Sequence, residues 1–177
     1  WLGATLGLVP NEPSGAFAVV ALLVVGSGVL IHRRRGDLGR VLRERRRLVL
    51  GYETLFLVVF VLWTIYRAYT PTIEQAGGEK FMEMAFINAI LQSPTFPPMD
   101  PWLSGFAISY YYFGYVQAAL LIHLTGLSSS VAFNLIIPMT LGMTVVAAFG
   151  LGYDLVGLSD RATRAARVLS GSLTALL

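Results

Sequence analysis

Four runs of apolar residues, broken by few polar ones, are long enough to cross a hydrocarbon core: 14–31, 48–66, 106–124 and 131–155. At a helical rise of about 1.5 Å per residue the first three reach roughly 27 to 29 Å, close to the thickness of that core, and the fourth must tilt, kink or overhang. The tail 168–177, "VLSGSLTALL", starts a fifth run that covers about half the thickness. The pattern predicts an all-α, polytopic transmembrane helical bundle forming one membrane domain over 1–177. It also predicts the N-terminal part of a longer chain, because the fifth run is cut short and the first residue is Trp1. The opening "WLGATLGLVPNEPSG" lacks the basic start and cleavage pattern of a signal peptide.

Between the second and third runs lies a mixed loop, 67–105. Within it "EKFMEMAFINAILQ", 79–92, predicts a short amphipathic helix, preceded by glycines and ended by Ser93 and Pro94. Glu79 and Glu83 are four apart and share one face, with Asn88 and Gln92 opposite. The remaining positions are mostly apolar, as suits a helix lying at a membrane interface or docked on a bundle. Four prolines between Pro94 and Pro101 then fix an extended return path. The glutamates should therefore sit beside the start of the third run.

Composition agrees with a membrane setting: 55% of residues are hydrophobic, 13% are charged and the mean hydropathy is +0.67. There is no cysteine, which removes disulfides and thiolate metal sites. Charge adds an orientation. Residues 32–47, "HRRRGDLGRVLRERRR", carry eight arginines against Asp37 and Glu44. The positive-inside bias makes this segment a cytoplasmic connection in the cytoplasmic membrane and puts loop 67–105 outside. With four spans, "LTGLSSS" becomes a cytoplasmic turn, and Arg161, Arg164 and Arg167 fall outside, against the bias. The arginine run reads as a topology anchor on anionic headgroups; nothing calls for nucleic acid as a partner.

The third run opens on "YYYFGY", five aromatic rings in six positions from Tyr110 to Tyr115. An interfacial aromatic belt accounts for some of them. On a helix, at about 100° per residue, Tyr110, Tyr111, Tyr112 and Phe113 sweep most of the circumference, so at least one must face inward. Tyr111 and Tyr115 would then share a face, and Gly114 with Ala118 would let another helix approach. Inward phenols beside an acidic loop can donate hydrogen bonds to a phosphate or stack on a sugar ring.

The order of motifs from Glu53 to Gly126, with "EKFMEMAFINAIL", "FPPMDPW" and "YYYFG" at its centre, resembles the YYY-type integral membrane proteins of bacteria and archaea, a largely uncharacterised family. That family favours Asp where this chain has Glu83. It is in turn similar to membrane glycosyltransferases of GT-C architecture, which take a sugar from a polyprenyl-phosphate carrier on the outer side. The resemblance implies a catalytic acid in the outer loop, at Glu79 or Glu83 with Asp100 as a further candidate. It also implies a phosphate-binding group made of Lys80, Arg67 and the hydroxyls of Tyr110, Tyr111 and Tyr112. If a divalent metal takes part, these oxygen ligands suit Mg²⁺ or Mn²⁺.

The alternative is a non-catalytic structural or accessory subunit of a larger membrane complex. A transporter ranks below both, since Glu53 is too little for a charged path. His123 reads as an interfacial residue at the cytoplasmic end of the third run, and Pro138 as a kink in the fourth. No P-loop, dinucleotide-binding, haem or zinc pattern occurs.

Overall fold

A computed structural model describes residues 1–74, 78–159 and 163–176. Positions 75–77 of the expected outer loop, Arg161 and Leu177 lie outside the described residues. The described chain is all-α: α1 (Leu2–Thr5), α2 (Pro13–Arg33), α3 (Arg35–Tyr69), α4 (Lys80–Gln92), α5 (Phe113–Thr125), α6 (Ser129–Gly157) and α7 (Arg164–Leu176). It divides into two compact units, one of residues 1–36 with 70–134, the other of 37–69 with 135–177.

Three helices, α2, α3 and α6, are long and apolar enough to cross a membrane. The arginine-rich stretch expected as a connection is itself helical. α2 runs to Arg33, and α3 begins at Arg35 and continues unbroken through 35 residues. Arginine, leucine and glutamate are good helix formers, so nothing but Gly36 and Gly39 opposes the extension.

The expected third span is corrected. Only residues 113–125 are helical, and 13 residues rise about 20 Å, short of the roughly 30 Å core. Residues 106–112 instead fold back on the proline segment. Met99 and Ala107 form an antiparallel bridge, Asp100 N–H donates to Phe106 O at 2.9 Å, and Ile108 N–H donates to Pro98 O at 2.9 Å. Gly105, at φ +86°, makes the turn between them, a conformation that a residue with a Cβ rarely adopts. Residues 110–112 are not helical, so the circumference argument for Tyr110 to Tyr112 does not hold, nor does a face shared by Tyr111 and Tyr115.

In the first unit α5 packs against both α4 and α2. Its core joins Ala4, Phe86, Ile90, Phe96, Ile108, Val116 and Ala119. The N-terminal segment closes the far end of α4. Asn11 Nδ2 donates to the carbonyls of Ile90 at 2.6 Å and Ser93 at 2.9 Å, and Asn11 N–H donates to Pro94 O at 2.8 Å. Carbonyls at a helix C-terminus have no intrahelical donor, and one asparagine supplies it from 79 positions away. Both ends of α5 meet this same segment: the Trp1 and Phe113 rings lie 6.3 Å apart, and His123 lines a small cavity with Asn11 and Glu12. His123 is thus beside the entry to α2 and not beside its arginine end, contrary to expectation. The start of α6 also belongs to this unit, where Asn134 Nδ2 donates to Pro71 O at 3.1 Å, just past the end of α3.

In the second unit α6 runs antiparallel to α3, with Phe56 against Gly142 and Tyr52 against Gly150. Four successive spans would have made these two helices parallel. Pro138 is fully buried inside α6. α7 returns along α6 at near-backbone contact: a Cβ at Gly171 would lie 2.8 Å from Phe149 O, and one at Gly152 would lie 2.9 Å from Ser170 O. Without a hydrophobic drive between helices in lipid, such small-residue contacts supply the packing. Gly171→Leu is expected to lower the stability of the α6–α7 pair by about 1–3 kcal/mol, the scale of overpacking. Gly26→Leu, where no atom lies within 4 Å of the new Cβ, should be neutral. Denaturation in mixed micelles compares them, and equal midpoints for the two would contradict this packing.

Candidate functional site

The ribbon formed by 98–108 places the tyrosine triplet against the first turn of α4. Phe86 organises the group, with its ring 5.5 Å from Trp102, 5.8 Å from Tyr110 and 5.8 Å from Tyr115. Tyr112 turns the other way and packs on Phe96 at 6.5 Å. Tyr110 and Tyr111 stack at 4.0 Å between ring centroids, and the outer ring of the pair, Tyr111, is 75% exposed. The density of rings at this mouth is therefore mostly packing, an aromatic clamp between α4, the ribbon and α5. One exposed ring face is left over.

The acids take distinct positions. Glu79 is the N-cap residue of α4, and Glu83 lies in its first turn, its N–H bonded to Glu79 O at 2.9 Å. The helix N-terminus favours negative charge there and offsets the repulsion between the two. Tyr110 donates to Glu79 Oε2 at 3.3 Å and shares a 2.7 Å hydrogen bond with the Tyr111 hydroxyl. Tyr110 is the donor in both contacts and has one proton, so its hydroxyl serves Glu79 or Tyr111, one at a time. The Tyr110 pKa is pushed above its ordinary value by the bond with Tyr111 first, then by lost hydration and the Glu79 charge. The Tyr115 phenol is raised too, by burial and then by Glu83 and Glu79. Glu79, Glu83 and the phenols of residues 110, 111 and 115 thus form one electrostatic neighbourhood.

Asp100, Lys80 and Arg67 differ in their settings. Asp100 Oδ1 accepts the N–H groups of Trp102 at 2.8 Å and Leu103 at 2.9 Å, fixing the turn of the ribbon. It faces a cavity of about 530 Å³ on the Asn88 and Gln92 side of α4, away from the glutamates. Lys80 follows Glu79 and is half-buried. Arg67, in the last turn of α3, is buried and belongs to the second unit. From the sequence Tyr115 reads only as sharing a face with Tyr111, and Phe86 only as one of the apolar positions of the short helix; proximity in space reveals their part. Among the described residues no group of three or more His, Asp or Glu side chains is placed to hold a metal ion.

The family of uncharacterized membrane proteins designated DUF2298 matches residues 1–177, the whole of the chain. The chain belongs to this family. No protein with a curated description and no solved structure matches it. As a DUF2298 member with three long apolar helices, it is a membrane protein whose spanning segments meet lipid.

Proposed function

We propose that the acid–tyrosine cluster is the reaction centre of a membrane transferase that moves a sugar from a polyprenyl-phosphate carrier to an acceptor hydroxyl at the outer face of the cytoplasmic membrane. The observation that carries this reading is the Tyr110 hydroxyl, within donating reach of both the Glu79 carboxylate and the Tyr111 hydroxyl, at an exposed helix N-terminus. A carboxylate held by a phenol is positioned as a proton acceptor, and the free face of Tyr111 offers a platform for a sugar ring. In the transfer, the acceptor oxygen forms a bond to the anomeric carbon while the bond from that carbon to the phosphate oxygen breaks. Glu79 takes the acceptor's proton, and the electron pair of the broken bond leaves with the lipid phosphate, whose charge Lys80 offsets. Glu83 keeps the helix start acidic and, with Tyr115, walls the inner side. Asp100 and Tyr112 serve the scaffold, and no step is assigned to Arg67. A divalent ion, if one is recruited, would be held by Glu79 and Glu83 together with substrate oxygens.

The test is reconstitution of the full-length protein in vesicles with a polyprenyl-phosphate-linked radiolabelled hexose and a panel of polyol, glycan and peptide acceptors. Release of polyprenyl phosphate together with label transfer supports the proposal. Intact donor under every condition, with the protein recovered in a stoichiometric membrane complex, would replace it with the accessory-subunit reading.

A further inference from the structure

The second unit contains a groove that the proposed chemistry does not use. Its floor is a stripe on α6, Val145, Phe149 and Tyr153, spaced one helical turn apart, and its walls are α3 and α7. Because both walls run antiparallel to α6, they run parallel to each other, and each begins with an arginine. The α3 wall extends from Arg47 to Val59 and the α7 wall from Arg164 to Leu176, thirteen residues apiece, or about 18 Å from first to last at helical rise. The groove has a volume of about 590 Å³ and is apolar apart from Ser172 and its arginine end. Arg47 and Arg164, the first residues of the two walls, and Tyr153 of the floor line that end. Arg47 and Arg164 have no ion-pair partner among the described residues, whereas Arg167, which does not line the groove, donates to Gly157 O at 3.2 Å.

We infer that this groove binds one molecule of an anionic phospholipid, its phosphate between Arg47 and Arg164 and an acyl chain along Phe149 and Val145. Charge complementarity selects the occupant. A neutral helix would leave two guanidinium groups facing it unpaired, and a soluble anion would leave some 18 Å of apolar groove unfilled. A phosphate with a hydrocarbon tail satisfies both halves. The arginine run of α3 at the same end draws anionic lipid to that leaflet, while the groove confers a fixed, single site.

Gly51 gives a direct handle, since it lines the groove and nothing lies within 4 Å of a Cβ added there. The full-length protein, incorporated in nanodiscs of mixed phosphatidylglycerol and phosphatidylcholine and then released for native mass spectrometry, is expected to retain one phosphatidylglycerol. Arg47→Gln and Arg164→Gln should each reduce that retention at least about tenfold, since each removes one charge-assisted partner of the phosphate. Arg40→Gln, on α3 but outside the groove, should not. Gly51→Phe should exclude lipid of either headgroup, and Val59→Trp serves the same purpose at the far end if the first variant folds poorly. Equal loss in Arg40→Gln would reduce the effect to general surface attraction and overturn the site, as would normal retention in the groove-filling variants. A photo-crosslinker at position 51 that captures protein in place of lipid would also overturn it.

Discussion

Glu79→Gln in the full-length protein is expected to lower turnover by about 10²-fold or more, the scale of losing a positioned proton acceptor. The amide keeps the size and the acceptor oxygen that Tyr110 contacts at 3.3 Å, so the clamp around Phe86 should survive and thermal stability should change little. Glu83→Gln should cost much less, because the Glu83 carboxylate is half-buried against Tyr115 and no phenol bonds to it directly. Tyr110→Phe isolates the positioning role: it leaves the carboxylate and removes one ordinary hydrogen bond, worth about 1 kcal/mol, or roughly a fivefold fall. That fall should appear in kcat with KM unchanged, since Tyr110 acts through Glu79. Undiminished turnover in Glu79→Gln would remove this carboxylate from the chemistry. A deep loss in Glu83→Gln alone would move the centre one turn along α4.

Membrane sidedness should differ from the four-span pattern at two of four positions. The natural chain has no cysteine, so single cysteines can be read against a clean background with an impermeant reagent. Cysteines at Arg40 and Ser159 should label from one side, and cysteines at Trp102 and Leu127 from the other. Four spans would instead pair Ser159 with Trp102 and Arg40 with Leu127. The expectation rests on α6 running antiparallel to α3 and on the 13-residue length of α5. It removes the charge conflict as well. Arg164 lines the same groove as Arg47, so it lies at the arginine end of α3, as the positive-inside bias requires. That end is expected to be cytoplasmic and the acid–tyrosine cluster outside. Labelling of Ser159 and Trp102 from one side would restore the four-span path.

The all-helical membrane class was legible because it depends on sums. Long apolar runs force a helix in lipid, where every backbone group needs an internal partner, and α2, α3 and α6 fall where such runs occur. The acid helix was legible too: glycines, an apolar periodicity and a Ser-Pro stop bound α4 within one residue of the reading. The course of 106–112 was not, because hydropathy cannot tell a lipid-facing helix from a strand that pairs with a proline ribbon. The choice was made by partners distant in the chain, Pro98 for Ile108 and Asp100 for Phe106.

The same distinction divides the candidate site. Sequence spacing put Glu79 and Glu83 on one face and brought the loop back toward the tyrosines, which follows from local geometry and the stiffness of prolines. It assigned no separate tasks to Tyr110, Tyr111 and Tyr112, and it could not take Asp100 out of the cluster. Those outcomes depend on where the ribbon turns, with one phenol on Glu79, one ring open to solvent, one packed on Phe96, and Asp100 spent on the turn itself. The lipid groove has the same character. Arg47 and Arg164 lie far apart in the chain and share a mouth because α3 and α7 both run antiparallel to α6. What the sequence determined is the solvent of each segment and the chemistry it carries. Which chemistries meet was decided by the antiparallel packing of α3 and α7 on α6 and by the hydrogen bonds that close the ribbon.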